Sequence, residues 1–332
     1  MLRSAGRFII RTVGLLGLLA ALVAGSWNAV DRMIVQADGP HQDTVLIQIS
    51  PGDGHATIRW ELKRGGVIRE LYHYDAARIM AGTSFVPKEG EFEIPPQASL
   101  ASIMNIIHAG RSHQRRLTII EGLTSAKIRD AIQTNGNFTG DITVALDEGS
   151  LLPETYFYTH GTSRDAMLTR MQEKRELALA EAWIDRAPDL PYKTPRDALI
   201  LASIIELETG DSAERLEVAG VFVNRLKRGM RLQSDPTVLY GVEGDANRRI
   251  RRSDLKRKTE WNTYVIKGLP KTPICNPSLE SINAALAPAQ TKNLYFVSDG
   301  KGGLRFARTL DEHNRNVRLF RQAQRKAGLR DD

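Results

Sequence analysis

RDALILASIIELET, residues 196–209, reads as a helix covered nearly all round. Pro195 suits a first helical turn, and Asp197 complements the positive end of the helix dipole. From Ala198 to Ile205 only Ser203 is polar, so neighbouring elements must surround this helix. Two carboxylates, Glu206 and Glu208, stand at its end, before Gly210. At ~100° per residue they point ~200° apart, so helix geometry alone does not place them in one pocket. Glu208 continues the stripe of Leu201, Ile204 and Ile205, whereas Glu206 lies with Leu199, Ala202, Ser203 and Thr209. An apolar neighbourhood and a helix C-terminus both raise a carboxyl pKa. A carboxylic acid still protonated near neutrality is what protonation of a glycosidic oxygen requires. Both glutamates would serve equally as solvated or ion-paired side chains at a fraying helix end, and the helix alone leaves the two readings open.

Toward the C-terminus, Ala213 to Arg228 is a second helix, with Leu216, Ala219, Val223 and Leu226 apolar and Gly229 ending it. In MRLQSDPTVLYG, residues 230–241, Ser234 or Asp235 can cap a helix beginning at Pro236. Gln233, Ser234, Asp235, Thr237 and Tyr240 carry the amide, hydroxyl and carboxylate groups that bind sugars. So do Asn262 and Tyr264 in WNTY (261–264), and Asn276 before Pro277. Each taken singly is equally a cap, turn or core residue. The runs 294–298 and 304–307 are strand-like, and Asp299–Gly303 between them reads as a hairpin turn and not a phosphate loop. Asp311 to Lys326 is a basic amphipathic helix with Val317 and Phe320 turned inward. Cys275, flanked by prolines, is a packed loop residue. The basic cluster Arg248, Arg249, Arg251, Arg252, Lys256, Arg257 and Lys258 is a solvated face or a contact for anions.

Toward the N-terminus, Ser163 to Arg186 is a long helix, and Glu148 to Tyr156 is rich in turns. Asn135–Gly140 marks a break, preceded by an amphipathic helix from Leu123 to Gln133. Strands are expected at 44–49, 91–94 and 116–120, and helices at 55–62, 72–80 and from the Ser99 cap to His108. Thr12 to Val30 is apolar and long enough to cross a hydrocarbon core of ~30 Å. Arg3, Arg7 and Arg11 before it keep the N-terminus in the cytoplasm and export the remainder. A cleaved signal peptide is the rival, disfavoured by the length of the run and the lack of a clean Ala-x-Ala site.

Across 332 residues, 46 Lys and Arg against 39 Asp and Glu give a net charge of +7. Outside the cytoplasm that charge either solubilises the surface or meets anionic envelope polymers or lipid headgroups, and it points away from nucleic acid. One cysteine excludes an internal disulfide framework, and the seven histidines show no metal-binding spacing. Neither a metal nor another cofactor is indicated.

SIIELETG (203–210), ERLEVAGVFVNRLKRGMRLQSDPTVLYG (214–241), WNTYVIKGLPKTPICNPSLESINAALAPA (261–289), LYFVSDGKGGLRFARTLDEHNRNV (294–317) and LLPETYFY (151–158) together resemble the YceG-like endolytic murein transglycosylases. The resemblance implies cleavage inside peptidoglycan strands, between N-acetylmuramic acid and N-acetylglucosamine. It proceeds without water and leaves a 1,6-anhydro-muramyl end. It makes the second glutamate of Glu-x-Glu-Thr, Glu208, the catalytic residue and gives Glu206 a supporting role; Leu207 stands where a lysine is common. Asp235 is the candidate for a second, assisting carboxylate. Gln233, Ser234, Thr237, Tyr240, Asn262, Tyr264 and Asn276 are the candidate substrate-binding residues.

The expected fold class is α+β. The expected organisation is a cytoplasmic N-terminus (1–11), a transmembrane helix (12–30), a linker (31–43), a LysM-like module (44–122), a connecting helix and linker (123–140) and a larger catalytic domain (141–332). The resemblance places the protein in the bacterial inner membrane as a single-pass protein with an extracytoplasmic catalytic domain, and implies penicillin-binding peptidoglycan synthases as partners. Two alternatives stay open: a hydrolytic muramidase using Glu208 and Asp235 with water, and a non-catalytic, membrane-tethered wall-binding scaffold.

Overall fold

The computed structural model describes residues 2–242 and 250–326. It is an α+β chain whose described residues divide into two compact units. One is Met1–Arg115 with Phe157–His160; the other is Arg116–Tyr156 with Gly161–Asp332.

The first unit begins with α1 (Leu2–Val30), which runs into a π-helical turn, Asp31–Val35. Arg11–Val35 is long and apolar enough to cross a membrane, and residues 11–29 are exposed throughout. There follow β1 (Val45–Ile49), α2 (His55–Arg64), α3 (Leu71–Ala81), β2 (Gly90–Ile94) and α4 (Leu100–Ala109). β1 and β2 pair antiparallel, Val45 facing Ile94 and Ile49 facing Gly90. Alternation puts Ile47 and Ile49 inward with Phe92 and Ile94, where they meet Ile58, Leu62 and Tyr74. The α4 stripe read from the sequence, Leu100, Ile103, Met104 and Ile107, is buried. Its cap is Ser99, which accepts a hydrogen bond from the Ser102 N–H at 3.3 Å.

The second unit is built around one helix. Its elements are α5 (Ser125–Thr134), α6 (Arg164–Ile184), α7 (Pro195–Glu208), α8 (Ser212–Lys227), α9 (Asp235–Tyr240), α10 (Leu279–Leu286), β5 (Tyr295–Ser298), β6 (Leu304–Ala307) and α11 (Leu310–Lys326). β3 (Arg115–Thr118) and β4 (Thr155–Tyr158) each contain a point at which the chain passes from one unit to the other. α7 is the stretch quoted at the outset. Thr194 starts it with a capping box closed by Asp197, Pro195 occupies the first turn, and Ala198–Glu206 is buried without interruption. α6, α8, α9 and α10 pack around it, which is why an all-apolar helix is stable here.

α10 was not foreseen. In sequence Asn276–Pro277 reads as a binding motif, whereas in the structure Ser278 is an N-cap, accepting from the Ser281 N–H at 3.2 Å, and Ile282, Ala285 and Leu286 are buried. The turn at Asp299–Gly303 is a hairpin between β5 and β6, as expected. The first division of the chain falls at Arg115. The start of α5 belongs to the second unit because the Asn276 amide bonds Leu123 O and Ser125 Oγ, both at 3.0 Å.

Gly149 is required where the chain turns before Leu151. Its φ is +77°, and a Cβ there would lie 2.7 Å from Pro273 Cγ. Gly149→Ala is expected to destabilise the protein by about 2–4 kcal/mol, from left-handed strain and overpacking together. Denaturant melts of the two proteins check this.

Candidate active site

α7 ends because Thr209 leaves helical geometry, at φ −145° and ψ 132°. The two glutamates of its last turn go to opposite surroundings. Glu206 is buried. Its Oε2 accepts from the Ser278 N–H at 2.7 Å and from Ser278 Oγ at 2.5 Å, and its Oε1 lies 3.6 Å from Arg215 Nη2. Glu206 thus fastens the start of α10 to the end of α7, and its carboxylate is fully engaged by protein.

Glu208 keeps part of its surface open to solvent, and Ser234 Oγ donates to its Oε1 at 2.5 Å. Loss of water around the carboxyl pushes its pKa up from 4.5 to about 7; the Ser234 hydrogen bond opposes this, Asp235 adds to it, and Arg225 opposes it. The carboxyl therefore exchanges its proton near neutral pH.

Ser234 reaches Glu208 because its segment is held from several sides. It occupies the N-cap position of α9 in extended geometry, yet its hydroxyl makes no capping bond, being turned to Glu208 instead. The Ser234 N–H donates to Thr263 Oγ1 at 2.9 Å, and the Gln233 N–H to Thr263 O at 3.3 Å. Gln233 sits at φ +53°, an uncommon conformation for a residue with a Cβ. Asp235 is exposed, and Tyr264 Oη donates to its Oδ1 at 2.6 Å. Burial and that hydrogen bond raise the Tyr264 pKa, which keeps the phenol a donor. Glu208, Gln233, Ser234, Asp235 and Tyr264 are thus joined through one loop.

Three of the residues expected to bind sugar are buried and bonded within the protein. Thr237 is fully buried; its hydroxyl donates to Ser234 O at 2.6 Å and meets Thr263 Oγ1 at 2.9 Å. Asn262 is buried and spends its amide nitrogen on the carbonyls of Arg257 at 2.7 Å and Asp254 at 3.1 Å. Asn276 is fully buried, its Oδ1 accepting from the Leu151 N–H at 2.8 Å. The sequence identified the right polar segments without showing which way each side chain turns. Tyr240 is half-buried: its ring meets Trp261 edge-on at 5.5 Å and its hydroxyl donates to Glu148 Oε2 at 3.2 Å. Burial, reinforced by Glu148, pushes its pKa up to about 12.

Sequence reading missed Arg225, Glu148 and Thr263. Arg225 could have been found: it falls on the inner stripe of α8 with Val218 and Phe222, and its guanidinium is buried. Of the basic cluster, Arg248 and Arg249 lie outside the described residues, while Arg251, Arg252, Lys256, Arg257 and Lys258 are exposed. Cys275 is buried, its Sγ donating to Ser203 O at 3.3 Å.

The YceG-like family matches residues 47–319. A curated relative from Bacillus subtilis, named endolytic murein transglycosylase, is 38% identical over 327 residues and covers 89% of each chain. A Streptococcus pneumoniae serotype 2 protein of the same name is 31% identical over 360 residues; the match takes in 93% of this chain but 64% of that protein, so the chain spans less than two thirds of it. A crystal structure of a YceG-like protein from Listeria monocytogenes aligns with a TM-score of 0.51 at 27% identity, covering 82% of this chain and 99% of the other. With the match running from β1 into α11, the chain belongs to the YceG-like family.

Proposed function

We propose that the protein is an endolytic murein transglycosylase in which Glu208 serves first as acid and then as base. The observation that carries this is the Glu208 carboxyl itself, partly open and held at one oxygen by Ser234, where burial pushes its pKa up to about 7. Among the described residues Ser234 occupies Oε1, which leaves Oε2 to meet substrate. Protonated Glu208 gives its proton to the glycosidic oxygen as the bond to the muramyl anomeric carbon breaks. The muramyl C6 hydroxyl then bonds that carbon, and its proton passes to the Glu208 carboxylate. The anhydro ring closes, no water is consumed, and the enzyme returns to its protonated starting state. Asp235, stabilised by Tyr264, is placed in the same loop to offset positive charge developing on the sugar.

The surrounding architecture supports the wider reading. α1 would anchor the chain in the inner membrane with its N-terminal arginines cytoplasmic. The strand–helix–helix–strand order of the first unit, with its strands paired antiparallel, supports a LysM-like module. Glycan strands are the substrate and membrane-bound synthases the proposed neighbours.

Purified full-length protein in detergent micelles, incubated with uncrosslinked glycan strands, should release fragments with anhydro ends detected by mass spectrometry. Fragments with reducing ends would make it a muramidase; binding without release would make it a scaffold. Because the reactive form is protonated, the rate should be greatest below neutrality and fall as pH rises through about 7. A rate that climbs through that pH contradicts the assignment of Glu208 as the acid.

A further inference from the structure

Arg225 is a buried guanidinium whose hydrogen bonds, among the described residues, end on neutral oxygens. Its Nε donates to Leu294 O at 2.6 Å, and its Nη1 to Leu232 O at 2.8 Å, Arg231 O at 3.3 Å and Gln233 Oε1 at 3.4 Å. The Tyr295 ring lies 5.1 Å from the guanidinium carbon, and His313 stacks on Tyr295 at 5.2 Å. Burying a cation without a carboxylate in hydrogen-bond reach is costly, and an apolar residue of similar volume would pack there more cheaply. Its placement is explained by what the fork holds. Arg231, Leu232 and Gln233 are the three residues that lead into Ser234, and they include the positive-φ backbone at Gln233. The planar guanidinium holds Leu294 O on Nε while Nη1 reaches Arg231 O and Leu232 O, two directions fixed relative to each other that an ammonium lacks.

We propose that Arg225 is the positioning residue of this site: by clamping the carbonyls of Arg231 and Leu232 it fixes the loop whose Ser234 hydroxyl is seated on Glu208. The proposal rests on the reading of Glu208 as the acid and says what holds that acid ready. Several ionisable groups face this assembly. Asp235 of α9, Tyr264 and Arg225 itself surround Glu208, while Tyr295 of β5 and His313 of α11 face Arg225. Burial lowers the His313 pKa and the Arg225 charge lowers it further, so neutral imidazole stacks behind the tyrosine. The nearby cation and the seated hydroxyl both favour the Glu208 anion. Loosening either raises its affinity for a proton.

The test uses full-length protein in micelles, isotope-labelled at glutamate, with the Glu208 carboxyl signal assigned by its loss in Glu208→Gln and followed as a function of pH. Arg225→Lys keeps the charge and loses the fork. It should raise the Glu208 proton affinity by about fivefold, the worth of one hydrogen bond. It should also lower kcat for anhydro-ended product by at least about tenfold, with KM within about threefold. Ser234→Ala should give the same rise in proton affinity, and the double variant should titrate like either single one, because both remove one interaction. An Arg225→Lys protein that folds and titrates Glu208 as the parent does overturns the proposal. If Arg225 variants do not fold, Ser234→Ala decides, since it leaves α8 untouched; an unchanged Glu208 titration there overturns it too. The titration needs no substrate. Failure of the wild-type protein to cleave glycan would therefore sink the catalytic assignment while leaving the clamp testable.

Discussion

Glu208→Gln is expected to lower the rate of glycan cleavage by about a thousandfold and, unusually for a site substitution, to stabilise the fold above neutral pH. Both effects follow from one property of the carboxyl. Its pKa stands at about 7 in the folded chain against an ordinary 4.5. The folded state therefore binds the Glu208 proton more tightly than the unfolded state. Between those two values the unfolded chain holds fewer protons than the folded one, so stability declines as pH rises through that window. Glutamine never ionises and escapes the decline. Its advantage should be close to zero below pH 4.5, grow with pH, and level off above about 7 at roughly 3 kcal/mol. Turnover measurements and denaturant melts at acid and alkaline pH check the pair. A glutamine variant that is no more stable than the parent at alkaline pH contradicts the burial argument, whatever its activity.

Two residues earlier the expectation reverses. Glu206→Ala should destabilise the protein by about 3–5 kcal/mol, because it strands a buried partner and does not simply delete a contact. Arg215 would keep a buried charge without its carboxylate, and the Ser278 N–H and hydroxyl would lose their acceptor at the start of α10. α10 packs directly on α7, so the damage reaches the helix that carries Glu208. The expected result is a markedly lower melting temperature, with residual activity following the fraction still folded. A Glu206→Ala protein with parental stability but no activity would show that this carboxylate acts on substrate and not on the fold.

These opposite outcomes show what periodicity could and could not convey. The helical wheel separated Glu206 from Glu208 correctly, since helix geometry is fixed and both lie on one element. It could not show that Glu206 is satisfied by Ser278, 72 residues further on. Likewise, the α4 stripe and the Ser99 cap are local and were legible. α10 was missed because its eight residues follow an Asn–Pro pair that reads equally as a turn or a binding motif. Thr237, Asn262 and Asn276 were found as polar residues in the right segments. Which of them face inward is decided by partners such as Thr263, Arg257 O and Leu151 N–H, set by the folded loop alone. Arg225 escaped because a cation on an apolar stripe is discounted unless its acceptors are known. The Ser234 hydroxyl looked like a cap from sequence, and the residue does hold the N-cap position; only the carboxyl opposite reveals why it does not cap.

The central claim is that Glu208 directs the muramyl C6 hydroxyl, and not water, onto the anomeric carbon. Cleavage of glycan strands in heavy-oxygen water tests it most directly. The account predicts muramyl ends that are anhydro and carry no heavy oxygen, with their formation lost in Glu208→Gln. Heavy oxygen incorporated at the muramyl anomeric carbon in the initial products would contradict it.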